Sequence, residues 1–257
     1  MNKLNVLYED NHIIVVVKPS NILSQSDITG DSDMLTIIKS YLKEKYNKPG
    51  NVYLGLVHRL DRVVSGVMVF AKTSKAASRL SDEIRLNKME KVYLAVVHGK
   101  VKESDTFTDY LKKTSDFNTV VSDSKSGKFS ELSYKLLEYN KKENLSLVEV
   151  HLKTGRHHQI RVQFSSRGYP LVGDNRYGND NHKNIGLAAY KLSFIHPVKK
   201  ELMTFIHYPE SDVFKGFKYF EETIYLSSIP GVVDSINEIR KNEDWDTAKV
   251  YDSNEEW

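Results

Sequence analysis

No apolar run in this 257-residue chain is longer than a β-strand needs. The runs are short, several come in pairs, and polar turns join the pairs. "VLYE" and "HIIVVVK" flank the turn former "EDNH", "ELSYKLLEY" and "LSLVEVHL" flank "NKKEN", and "LAAYKLSFIHP" is followed closely by "ELMTFIHY". Such pairing dictates hairpins, because antiparallel strands need only a short connection. The N-terminal apolar stretch, Ile13 to Val17, ends in a lysine, and no stretch approaches a membrane span of about 20 residues. Helical periodicity is confined to a few segments. Asp33 caps one that turns Leu35, Ile38 and Leu42 to one face. Ser74 opens another over 75–87, with Ala76, Leu80, Ile84 and Leu86 inward, and Thr154 opens a third in "GRHHQIRVQFSSRG". Strands that outnumber helices and pair locally predict an α+β fold on a mixed, mostly antiparallel sheet with flanking helices and a central cleft.

Residues 102–130 are polar and weakly periodic and read as a surface insertion. The last 17 residues hold six acidic and two basic side chains, a net −4, so a chain of net charge +3 carries +7 on its first 240 residues. That moderately basic body suits a polyanionic partner without requiring one. A further helix is expected near 231–242. With no cysteine, disulfides and thiolate metal sites are excluded. The N-terminus has no secretory pattern, and the expected compartment is the cytoplasm, with no membrane association.

Three polar constellations stand out. In "LVHRLDRVVSG", His58, Arg59, Asp61 and Arg62 crowd the mouth of an apolar strand. Asp61 either pairs with Arg59 or Arg62 to close a strand end, or stays ionised beside a guanidinium and acts as a nucleophile. In "KTGRHHQIRVQF", an arginine on the inner face of a helix can give a distant carboxylate a permanent charge, better than lysine because its fork stays protonated when buried. His157 and His158 are adjacent and lack a carboxylate partner or HExxH spacing, so no metal site is expected. In "YPLVGDNRYG", Gly173 and Gly178 have phosphate-loop spacing, but Asn179-Asp180 replaces the Lys-Ser/Thr that such a loop needs. This is a turn-rich loop.

Taken in order, "VVVKPSNILSQSD", "HRLDRVVSG", "KVYLAVVHG", "LKTGRHHQIRVQF", "GYPLVGDNRYG" and "YKLSFIHP" resemble the RluA-type pseudouridine synthases, from the first of these to about Pro209. The resemblance implies a cofactor-free isomerase that converts uridine in RNA, ribosomal or transfer, to pseudouridine. It makes Asp61 the catalytic aspartate, Tyr93 the tyrosine that stacks on uracil and the proposed base, and Arg161 the partner of Asp61. Ile160 lines the pocket, Arg59 fills the gap left by a flipped base, and His58, Arg62 and Arg156 join the substrate-binding set. Departures from the usual pattern are Val63 and Val64 in place of Asp and Thr, Asn21 in place of Gly, and Gln163 in place of His. Asparagine suits the left-handed turn expected at position 21. The domain reading is 1–230 catalytic, 231–257 an acidic tail, with no N-terminal S4-like domain and a monomeric chain. Two rivals remain: a non-catalytic RNA-binding module and a metal-dependent hydrolase.

Overall fold

The structure is a computed structural model that describes residues 4–180 and 182–222. One compact unit runs to Lys215, and a second begins at Gly216. The helix expected near 231–242 and the acidic tail lie outside the described residues. Among the described residues no helix is long and apolar enough to cross a membrane.

Among the described residues eleven strands form one sheet. The first hairpin is β1 (Val6–Glu9) and β2 (Ile13–Lys18), followed by helix α1 (Met34–Lys45), the two-residue β3 (Gly55–Leu56), β4 (Ser65–Ala71) and helix α2 (Ser74–Arg85). The second half comprises β5 (Glu90–His98), β6 (Ser104–Lys113), β7 (Thr119–Ser122), β8 (Lys128–Asn140), β9 (Leu145–Leu152), helix α3 (Gln159–Ser165), β10 (Leu187–Ile195) and β11 (Leu202–Ile206). The spatial order is β1-β2-β4-β10-β5-β9-β8-β6-β7, with β3 on β4 and β11 on β10. Every pairing is antiparallel except β4 with β10. The expected α+β, mostly antiparallel architecture is what forms.

That parallel contact needs a glycine. Gly66 has φ +136°, and a Cβ there would sit 2.2 Å from the Ala189 carbonyl oxygen, so only glycine lets the two backbones meet. Alternation along β2 and β4 sends side chains to two cores. Ile14, Val16, Met68 and Phe70 join Ile38 and Leu42 of α1 and Phe164 of α3 on one face. Ile13, Val15, Val67 and Val69 join Ala76 and Leu80 of α2 on the other. Both faces are covered, which is why these strands read as unbroken apolar runs.

Several local expectations change. Asp33 does cap α1, its carboxylate accepting from Thr36 N–H at 3.1 Å, and Asn21 does adopt positive φ, 66°. The α2 cap, however, is Thr73 rather than Ser74, and Leu86 is half exposed beyond the helix end. Thr154 does not cap α3. Its hydroxyl donates to Gln159 Oε1 at 2.8 Å, while the residue at the cap position is His158, at φ 52°. The helix therefore begins after His157, and His157 and Arg156 are not on it. Residues 102–130 are not a loop but mostly strand: β6 pairs with β8 over eight residues and with β7 over four. Their polarity reflects a ribbon at the sheet edge with one wet face.

Helix α3 is anchored to that ribbon through an aromatic trio. Phe164 meets Phe107 of β6 edge-on at 5.0 Å and Tyr134 of β8 at 5.2 Å. Replacing Phe164 by Ala leaves a cavity between helix and sheet. We expect it to lower the unfolding free energy by about 3–5 kcal/mol, read as a shift in the urea midpoint.

Candidate active site

A cleft of about 1650 Å³ opens over the middle of the sheet, and His58, Arg59, Asp61, Arg62, Tyr93 and Arg161 all line it, with Arg156 and Ile160. The first four come from the loop between β3 and β4, Tyr93 from β5, and Ile160 and Arg161 from α3. Asp61 sits in the loop between β3 and β4, and that loop is held on both sides. Leu60 and Val64 are buried, and Ser24 Oγ donates to Leu60 O at 2.8 Å while accepting Leu60 N–H at 3.1 Å. Ser20 Oγ donates to Val63 O at 2.7 Å. Lys18, fully buried, donates to three carbonyls: Pro19 at 2.9 Å, Ile22 at 2.6 Å and Arg62 at 3.0 Å. Three acceptors match the three N–H bonds of an ammonium. Burial pulls the Lys18 pKa down to about 7, with Asp61 opposing the shift and Arg62 adding to it.

Arg161 comes from α3, a hundred residues later. Its Nη1 stands 3.4 Å from Asp61 Oδ2. Its closer partner is Asp174, which accepts from Nε at 2.8 Å and from Nη2 at 2.7 Å in a fork-to-fork pair. Asp174 is fully buried and Arg161 nearly so. Burial works against the guanidinium charge, but the hydrogen bonds and charge of Asp174, with Asp61 behind them, raise its pKa above the ordinary value. Asp174 also accepts the N–H groups of Arg176 and Tyr177 at 3.0 and 3.1 Å. Gly173, at φ +68°, brings the carboxylate in, since a Cβ there would lie 2.1 Å from Asn184 O. Asp61 and Arg161 thus meet as expected, but the pair is a triad whose third member was read only as part of a turn.

Neighbouring arginines do not neutralise Asp61. Arg62 pairs with Asp31 at 2.7 Å, both half exposed. Arg59 is exposed at the rim. Tyr93, on β5, is buried, and burial and then the Asp61 charge raise its phenol pKa. At neutral pH it is a protonated hydroxyl. Ile160 is buried beside it in the wall. Arg156, exposed, donates from Nε to Phe129 O at 2.8 Å. His58 does a structural job: its Nε2 accepts Val69 N–H at 3.1 Å, tying the Asp61 loop to β4.

The cleft has further walls that sequence reasoning passed over. Lys113, Phe117 and Asn118, from the β6–β7 hairpin, line it. Gln163 anchors α3 to the hairpin, its Nε2 donating to Asp109 Oδ2 at 2.7 Å. His157 stacks on His158 at 3.7 Å. Among the described residues no group of three His, Asp or Glu side chains is placed to hold a metal.

The cleft thus brings together a carboxylate, Asp61, a pinned arginine, Arg161, and a buried tyrosine, Tyr93. The profile of the RNA pseudouridylate synthases matches residues 12–166. The chain belongs to that family. An uncharacterised RNA pseudouridine synthase of Bacillus subtilis (strain 168) is 33% identical over 204 residues, covering 78% of this chain and 67% of the relative. The ribosomal large subunit pseudouridine synthase C of Buchnera aphidicola subsp. Acyrthosiphon pisum is 35% identical over 216 residues, covering 76% of this chain and 64% of the relative. The solved structure of human RNA pseudouridylate synthase domain containing 4 has the same fold, with TM-score 0.67 at 19% identity over 86% of this chain and 92% of that one. As members of the family are isomerases, the synthase needs a site that rearranges its substrate. The matched segment takes in Asp61, Tyr93 and Arg161 but ends before Asp174.

Two outcomes are expected of this site. Asp174→Ala leaves a buried guanidinium without its main partner, so it should cost about 3–5 kcal/mol of stability and lower turnover even where the protein remains folded. Equilibrium unfolding and pseudouridine formation measure the two. The second concerns acid. Burial, with Lys91 adding, lowers the His58 pKa to about 4, and burial, followed by Arg161 and His157, lowers that of His158 to about 2. The unfolded chain therefore takes up these protons first as pH falls below the ordinary 6.5. Stability present above 6.5 should be lost as pH drops toward the folded values, beginning above the range of the carboxylates. The urea midpoint should already fall between 6.5 and about 5, and His58→Gln should flatten that slope.

Proposed function

We propose that this synthase converts a uridine of ribosomal RNA to pseudouridine, with Asp61 as the reacting carboxylate. The observation that carries this reading is the position of Asp61: exposed enough to be met from the cleft, yet held at Oδ2 by an arginine that cannot leave because Asp174 grips it twice. The reaction breaks the N1–C1′ bond, turns the uracil, and joins C5 to C1′; C5 gives up a proton and N1 gains one. No redox equivalent is consumed. Neither reacting atom is accessible in a stacked helix, so the nucleotide must swing out, at a cost of a few kcal/mol. Arg59, exposed at the rim and planar, is placed to fill the gap and recover part of that cost.

Inside the cleft Asp61 meets the sugar or ring, and Arg161, its Nη1 3.4 Å from Oδ2, orients the carboxylate. Tyr93 and Ile160 supply an apolar surface against which the detached uracil lies. With its phenol protonated at rest, Tyr93 suits the stacking role better than that of base. Arg156 and Lys113 at the rim meet phosphates, so affinity should fall with salt. We take the synthase to act as a monomer in the cytoplasm, where its RNA is. Ribosomal RNA is the favoured target because relatives such as the Buchnera protein bear the name ribosomal large subunit pseudouridine synthase; transfer RNA is the alternative.

Purified Asp61→Asn protein should bind RNA with affinity close to wild type and release no tritium from 5-tritiated uridine. Wild-type turnover by that variant would sink the assignment, and wild-type protein that binds RNA but never makes pseudouridine would favour a binding module instead. Pseudouridine maps of cells with and without the gene then name the target, the expected loss being at a uridine of the large ribosomal subunit.

A further inference from the structure

Two further side chains, His158 and Tyr177, stand behind Asp61. His158 is 9% exposed, and its Nε2 stands 3.6 Å from Asp61 Oδ2. Its Nδ1 lies 2.7 Å from the Tyr177 hydroxyl, with the tyrosine ring nearly perpendicular at 5.5 Å. Tyr177 in turn accepts Thr119 N–H from β7 at 2.9 Å. The histidine is held in this pose by a backbone at φ 52°, a region that non-glycine residues seldom occupy. A strained residue next to a reacting group invites a functional explanation.

Proton counting sets the direction of the chain. Burial and the surrounding cations keep His158 neutral, so its ring carries one N–H. If that N–H were at Nδ1, the Nε2 lone pair would face the Asp61 carboxylate and repel it. The Tyr177 oxygen already accepts from Thr119 and has its own proton to give. Donation from Tyr177 to Nδ1 places the imidazole proton at Nε2, facing Asp61, and satisfies every group. The hydrogen bond at one ring nitrogen thereby decides what the other does.

We infer that Tyr177 fixes His158 as its Nε2–H tautomer, and that His158 is a positioning residue that holds Asp61 by the oxygen Arg161 also faces. Oδ2 is thus tethered by two donors, one charged and one neutral. Oδ1 has no hydrogen-bond partner among the described residues and is left as the oxygen that meets the nucleotide. At 3.6 Å the contact is longer than a hydrogen bond, as catalytic contacts often are before substrate binds. The same chain ties Asp61 to the β6–β7 hairpin through Thr119, so the hairpin wall and the carboxylate move as one piece. This inference rests on Asp61 being the reacting carboxylate.

The experiment compares Asp61→Asn, Tyr177→Phe, His158→Asn and His158→Gln in the full-length protein. Asparagine tolerates the positive φ but withdraws the donor; glutamine places an amide N–H near where Nε2 was. Tyr177→Phe and His158→Asn should lower kcat by about tenfold or more while KM for RNA stays within about twofold. His158→Gln should recover most of kcat, and adding Tyr177→Phe to it should cost nothing further, since glutamine has no tautomer to fix. Nitrogen-15 NMR of the imidazole should show protonated Nε2 in wild type, a readout that does not depend on any variant folding. A protonated Nδ1, or Tyr177→Phe with wild-type kcat, or a loss confined to KM, would overturn the inference. Asp61→Asn separates the two failures. If it keeps turnover, the reading of Asp61 falls; if it is dead while Tyr177→Phe is fully active, only the present inference falls.

Discussion

The site hangs on one buried ion pair. Arg161 and Asp174 face each other through two short hydrogen bonds, with almost no access to water. A pair of this kind adds little net stability, because desolvation cancels much of the attraction, but loss of either partner is expensive. Its value lies in geometry. With Nε and Nη2 committed to Asp174, the remaining nitrogen of the guanidinium has one place to point, and that is Asp61. A lysine would leave that direction unset, since its ammonium has no fork to orient.

The loop that carries Asp61 is fixed as well. Lys18, Ser20 and Ser24 fasten the backbone of its loop from below, each by a side-chain bond to a carbonyl of residues 60–63. The loop is therefore stiff where a loop ahead of a strand would ordinarily be free. The valines at 63 and 64, unusual for the resembling family, fit this: Val64 is buried under the loop, and Val63 gives up only its carbonyl, to Ser20. Gln163 plays the equivalent part for α3, tying it to Asp109 of the edge ribbon. Substitutions at such positions change how the cleft is braced and leave the reacting groups alone.

Where sequence reading failed, the cause was consistent. The 102–130 segment has the composition of a loop because a ribbon with one solvated face buries only every second side chain, such as Phe107 and Leu111. The stretch from Thr154 to His158 looks helical by composition, but the Thr154 N–H goes to Glu131 O of β8, the Arg156 N–H goes to the Gln159 side chain, and His158 turns left-handed, so the helix starts late. Asp174 hid inside "GDNRYG", where an aspartate after glycine is an ordinary turn former. Nothing in the spacing distinguishes a turn aspartate from one that grips an arginine thirteen residues upstream.

The chain's own order of residues determined the hairpins, the α+β class, the caps at Asp33, the left-handed Asn21 and the candidacy of Asp61, Tyr93 and Arg161, because these follow from local periodicity, turn chemistry and motif wording. Tertiary structure alone decided that Arg62 turns from Asp61 to Asp31 and that Asp174 joins Arg161. Arg62 stands beside Asp61 in sequence and binds Asp31; Arg161 stands a hundred residues away and shares itself between Asp61 and Asp174. Asp61 and Arg62 stand at a turn closed by the Val64 N–H on Asp61 O at 3.1 Å and take different partners, whereas the sheet brings segments from distant parts of the chain to the same cleft. Charge pairing is a through-space interaction, and only the sheet sets the distances in space.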